Sequence, residues 1–214
     1  MNRLEDLNDY VLEQIKFIDK DNELSNPLLV APNVIGKTLY LGQETNGWFG
    51  SHDNFISSRK LEREYDNFFM RGKMPKTPFW KFIRDVTNVN DVANNGDITW
   101  ANLFICGNKD CKGTPVLHDE IKELSVLYLT YLVDILKVDK IIAVVGPKNP
   151  YYTVLNMFSS ELGWHFNGWP KKTVPYVYSD EEELFYTYHP MYLQISNNYN
   201  KTIIEGEKFI NKNK

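Results

Sequence analysis

The stretch Lys37-Thr38-Leu39-Tyr40-Leu41-Gly42-Gln43-Glu44 reads as a buried strand that stops on a glycine and runs directly into polar residues. A short run of β-formers closed by Gly is a strand signal. Three more such runs follow, at 98–104, 140–145 and 184–188. Helical patterns lie around them. Leu4, Leu7, Val11, Ile15 and Ile18 recur at helical spacing over 3–18. Pro78 starts a short helix over 79–86, because proline suits the first helical position. Ile121, Leu124, Leu127, Tyr128, Tyr131, Leu132 and Ile135 share a broad face over 119–137. A helix over 151–162 follows Pro150 and is stopped by Gly163, and a polar helix is expected over 198–211. Strands alternating with helices of this length imply right-handed crossovers. The expected fold class is therefore α/β: a three-layer α/β/α sandwich around a central, mainly parallel four-stranded sheet. No linker or repeat divides residues 1–214, so one domain is expected. The segment 47–77 carries few signals and reads as a long excursion of the kind that forms binding loops.

Composition narrows the function classes. Apolar residues are 43% and charged residues 24% of the 214, as in a globular domain and unlike a disordered or fibrous chain. Net charge is −4, which excludes a uniformly basic nucleic-acid coat but permits a local basic rim. Two cysteines, Cys106 and Cys111, are too few for a disulfide framework, and no signal peptide is seen, so a reducing, cytoplasmic setting is expected. No apolar run approaches the length of a membrane helix. Cys106, Cys111 and His118 make a poor tetrahedral set, so no metal and no cofactor are expected. The unusual feature is the 14% aromatic content, which serves either a core or flat faces for planar ligands. Tyr128, Tyr131 and Phe104 are allotted to packing, and Trp48, Phe79, Trp80, Tyr188 and Tyr192 to the neighbourhood of a site.

In open α/β sheets ligands bind beyond the carboxyl ends of the strands. Those ends here read Gly42-Gln43-Glu44-Thr45-Asn46, Trp100-Ala101-Asn102-Leu103, Gly146-Pro147-Lys148 and His189-Pro190-Met191-Tyr192-Leu193. A carboxylate, amides, a lysine and a histidine thus fall at four strand ends. Each also has a plain structural use, as a cap, a backbone support or a solvated loop residue.

Their order along residues 37–195 resembles the uracil-DNA glycosylase superfamily. Gly42-Gln43-Glu44 is similar to its opening motif, Asn102 to its base-reading asparagine, 140–146 to its third strand, and His189-Pro190 with Leu193 to its closing loop. The resemblance implies roles. Glu44 is the catalytic carboxylate that orients water and His189 the donor to the departing base. Gln43, Asn46, Phe79 and Asn102 bind the base, Phe79 by stacking. Lys148 contacts DNA phosphate, and Leu193 is an apolar wedge that fills the gap left by a flipped nucleotide. Thr45 stands where the family has proline, which is expected to loosen the turn. Asn46 stands where a tyrosine excludes the thymine methyl, and Met191-Tyr192 replaces small residues. The implied activity is hydrolysis of the N-glycosidic bond of uracil or a related damaged base in single- or double-stranded DNA, by a monomer. Two alternatives stay open: a chemically altered member of the same fold that binds nucleic acid or a free base, and a nucleotide or small-metabolite enzyme. Arg71, Lys73, Lys76, Lys109, Lys112, Lys148, Lys171 and Lys172 are candidate phosphate contacts.

Overall fold

A computed structural model describes residues 3–45, 47–50, 56–72 and 74–212. The sheet is built on β1 (Thr38–Gly42), every residue of which is buried. On one side β1 pairs in parallel with β2 (Ile98–Asn102), and on the other with β3 (Lys140–Ala143). Next to β3 lies β5 (Leu184–Thr187), again parallel. The sheet has a fifth strand that the sequence reading did not anticipate: β4 (Tyr176–Tyr178) pairs antiparallel at the edge, giving the order β2-β1-β3-β5-β4. Three half-buried residues directly after Pro175 are too short a run to stand out from a loop.

The helices divide into two layers. On one face α1 (Leu4–Ile18), α5 (His118–Leu136) and α6 (Tyr151–Glu161) pack side by side. On the other, α3 (Pro78–Thr87) packs against α7 (Pro190–Ile195) and α8 (Tyr199–Asn211). The α/β/α sandwich therefore stands, with one strand more than expected. Pro78 sits in the first turn of α3, and Gly163 follows α6 at φ 74°, as the stop signals require. The excursion over 47–77 is partly helical, since α2 (Ser58–Tyr65) runs directly into a π-helical turn (Asp66–Met70); beyond α3, a short α4 (Val92–Asn95) precedes β2. Only Leu61 and Tyr65 are apolar and buried among the eight residues of α2, too sparse a pattern to show as an apolar stripe. Among the described residues, no helix is long and apolar enough to cross a membrane.

The chain leaves β1 for β2 on one side and returns to β3 on the other. Strand order reverses at β1, which is where an open sheet leaves a crevice.

Candidate functional site

Gly42 closes β1 directly opposite Asn102, the last residue of β2. A Cβ on Gly42 would run into the Asn102 side-chain amide and come within 3.1 Å of Phe79 Cε2. The glycine is thus the gap into which the amide and the phenyl ring both fit. Past the strands the ladder continues, with Leu103 N donating to Gly42 O at 3.0 Å and Phe104 N to Gln43 O at 2.9 Å. This holds the Gln43–Thr45 loop against the end of β2.

That loop is not loose. Thr45 is buried, and its hydroxyl lies 3.1 Å from the Ser25 hydroxyl. Gly107 packs so closely on it that a Cβ there would meet the Thr45 carbonyl oxygen at 1.7 Å. The expectation that Thr45 loosens the turn is corrected: packing and hydrogen bonding supply what a proline ring would.

A cleft of about 430 Å3 opens over this platform. Glu44, Gln43, Asn102, Phe79 and His189 all line it, so five of the predicted site residues meet in one place. Each is held by its own partner. Gln43 Nε2 donates to Val145 O at 2.8 Å, tying the ends of β1 and β3. Asn102, oriented to satisfy its neighbours, donates to Ala101 O at 3.1 Å and accepts from Thr45 N at 3.2 Å. A carboxamide offers two donor hydrogens and two lone pairs, so one of each remains for a ligand. Phe79 is set by Tyr40, whose hydroxyl donates to the Phe79 carbonyl at 2.7 Å and whose ring lies 4.5 Å away.

Glu44 Oε2 accepts from the Tyr151 hydroxyl at 2.5 Å, and Tyr151 in turn accepts from Thr114 Oγ1 at 3.2 Å. Burial pushes the Glu44 carboxyl above the usual carboxylate range, against the hydrogen bonds from Tyr151 and the Gly113 backbone amide. The Tyr151 phenol is raised, by burial first and by the Glu44 hydrogen bond second, and so remains a donor. His189 caps α7, with Met191 N donating to its Nδ1 at 3.3 Å. Burial lowers its pKa. The neutral ring therefore carries its proton on Nε2, which leaves one donor for a ligand.

No protein-family model matches this chain, and no curated protein matches it.

The rest of the cleft is aromatic. Trp48, Phe68, Trp80 and Trp100 join Phe79 in lining it. Trp100 stands nearly perpendicular to Trp48 (81°, 5.6 Å) and to Trp80 (75°, 5.0 Å), and Trp80 to Phe79 (86°, 4.9 Å). The indole nitrogen of Trp48 is buried with no hydrogen-bond partner among the described residues. Trp100, Phe68 and Tyr151 had no role in the sequence reading. Trp100 was recoverable, since residues two apart on a strand share a face and Asn102 was already a candidate. Phe68 lies in the π-helical turn, and no sequence signal marks it.

Other candidate residues fall outside the cleft or outside the described residues. Leu193 is fully buried on α7, so it is core and not a wedge; on the same helix Met191 and Ile195 are the exposed apolar residues. Pro190 begins a helix there, and the helix turns Leu193 inward. Lys148 is exposed in the loop after β3 and does not line the cleft. Tyr188 and Tyr192 pack against each other at 4.6 Å with their rings tilted by 32°, next to His189 but not among the residues that line the cleft. Asn46 lies outside the described residues, as does Lys73. Cys106 is buried and Cys111 exposed, so the two thiols occupy different environments.

Proposed function

We propose that this protein hydrolyses the N-glycosidic bond of uracil or a related damaged base in DNA. One observation carries the reading: Glu44, Asn102, Phe79 and His189 converge on a single cleft at the carboxyl ends of β1, β2 and β5. The spare donor and acceptor of Asn102 suit the edge of a flipped base, which leaves buried groups unpaired when the base is wrong. Phe79 offers the ring against which that base stacks. Breaking the bond puts positive charge on the sugar and negative charge on the base. His189 Nε2–H donates to the base as its charge develops. The Glu44 carboxylate faces the sugar cation and takes the proton of the attacking water. The electron pair of the broken C1′–N bond leaves with the base, and the water oxygen remains on C1′.

A second reading rests on Tyr151. Because one Glu44 oxygen is already occupied by that phenol, the carboxylate also serves as a structural acceptor, as in a protein that binds a base without cleaving it. One assay separates the two. Oligonucleotides carrying uracil, hypoxanthine or a G·T mismatch, single- and double-stranded, are incubated with protein and then treated with alkali. Strand breaks that vanish in Glu44→Ala and His189→Ala proteins are the expected result. Binding without breaks selects the second reading, and neither binding nor breaks at low salt overturns both.

A further inference from the structure

We propose that the base this cleft favours is a positively charged N-alkylated purine, not a neutral base. The proposal deepens the glycosidase reading and rests on it for bond cleavage, although not for binding. Among the described residues lining the cleft, Glu44 is the one carboxylate and there is no lysine or arginine. Lys76, between the lining residues Pro75 and Thr77, is exposed at the mouth. The remaining wall is dominated by the rings of Trp48, Phe68, Phe79, Trp80 and Trp100. Aromatic faces attract cations, tryptophan most strongly, and do so best when water is excluded. A carboxylate set among such rings adds to that preference. A wall of this kind gives an anionic base only the neutral N–H donors of His189, Asn102 and Trp48, with no cationic side chain among the described lining residues to offset its charge. It also exceeds a pyrimidine in size, since about 430 Å3 falls in the range that holds a drug-sized ligand.

The chemistry agrees with the wall. In an N-alkylated purine the ring bears the charge before the bond breaks. Water adds its oxygen to C1′, and the C1′–N9 pair moves onto N9 and discharges the ring. The water proton passes to the Glu44 carboxylate. The products are a neutral alkylated purine and an abasic sugar, and no general acid is required. The polar groups of Asn102 and the buried indole N–H of Trp48 remain to bind the acceptor atoms of the purine.

The test begins with quenching of tryptophan fluorescence by 7-methylguanosine and by neutral guanosine, at slightly acidic pH, where N1 of the alkylated base keeps its proton and the ring its net charge. The cationic nucleoside should bind about thirtyfold tighter, the size of a desolvated cation–π contact. That ratio should fall towards one in Glu44→Gln and in Phe79→Leu, with near-UV circular dichroism confirming that each variant is folded. Oligonucleotides carrying 7-methylguanine or uracil are then assayed for base release above the protein-free rate. Preferential release of 7-methylguanine supports both proposals. Equal or tighter binding of guanosine overturns this one, and so does failure of both nucleosides to bind. Should the uracil strand alone be cleaved, the glycosidase reading survives and the cationic preference is lost. Preference for the cation without any cleavage supports the site's selectivity and removes the glycosidase reading.

Discussion

Glu44 is held between two opposed influences. Burial favours its protonated form, while the Tyr151 phenol and the Gly113 amide favour the carboxylate. Tyr151→Phe removes a donor to the charged form, so the carboxyl titrates at higher pH still. The acid limb of the pH–activity profile should then move to higher pH with the basic limb unchanged; an unmoved limb would show that Glu44 is not the group it reports. Stability carries the opposite sign. The folded chain keeps a proton on Glu44 at pH values where the unfolded chain has lost it, so the native state loses stability as pH rises through that window. Glu44→Gln should therefore abolish catalysis while leaving the melting temperature at neutral pH equal or higher. Gly42→Ala tests the platform, because its Cβ must push Asn102 and Phe79 aside. A cost of about 1–3 kcal/mol in chemical denaturation, with loss of base binding, is expected. Glu44, Asn102 and His189 were legible because strand ends could be located from short apolar runs and Gly42, whereas Phe79, on α3, was pointed to by the family resemblance alone. Tyr151 was not, because its partner lies 107 residues away and a tyrosine opening a helix looks like core.

Elements are joined by a second buried polar cluster, remote from the cleft. Asn8 on α1 donates to Glu62 on α2 at 2.7 Å and to Val30 O at 3.0 Å, and accepts from Tyr128 on α5 at 3.3 Å. Tyr128 also accepts from Val30 N at 2.8 Å. Asn8→Ala strands these groups, and a loss of about 1–3 kcal/mol in urea unfolding is expected. Burial raises the Glu62 carboxyl above its ordinary value, so Glu62→Gln, which keeps the acceptor, should raise the melting temperature at neutral pH. That gain should shrink in acid, where the parent carboxyl is already protonated; a gain independent of pH would sink the explanation. On α7, Leu193→Ala should cost about 2–5 kcal/mol, as for any filled core position. A wedge residue would instead leave stability intact. The resemblance misled here because it places His189-Pro190 and Leu193 in a closing loop, whereas Pro190 fits the first position of a helix as well as it fits a loop. The long helices were legible from periodicity. α2, the π-helical turn and β4 were not, since each is short and partnered by distant residues.

At the scale of the whole molecule, the net charge of −4 is distributed unevenly. A depression of about 600 Å3 at the amino ends of the strands gathers Asp97, Asp139, Glu181, Glu182 and Glu183 against Lys37, Lys140 and Lys212. Its groups engage one another: Lys140 Nζ donates to the carbonyls of Phe209 and Ile210, and Lys212 pairs with Glu182. The opposite end, where the cleft opens, carries exposed lysines. Lys148 follows β3, and Lys171 and Lys172 precede β4, whose first residue pairs with Thr187 at the carboxyl end of β5. The loop bearing these two lysines is fixed, because Tyr188 donates to Pro170 O, Asn198 to Lys172 O and Lys201 to Thr173 O. Under the proposed DNA reading, these exposed lysines are the groups at this end of the molecule that meet the phosphate backbone. Three neutralised phosphates correspond to a slope of about −2 to −3 in log K against log salt for an oligonucleotide duplex. The triple substitution Lys148→Ala, Lys171→Ala, Lys172→Ala should flatten that slope and weaken all sequences alike, while nucleoside binding in the cleft stays unchanged. A slope several units steeper, or one indifferent to the substitution, would place the phosphate contacts on another face of the molecule.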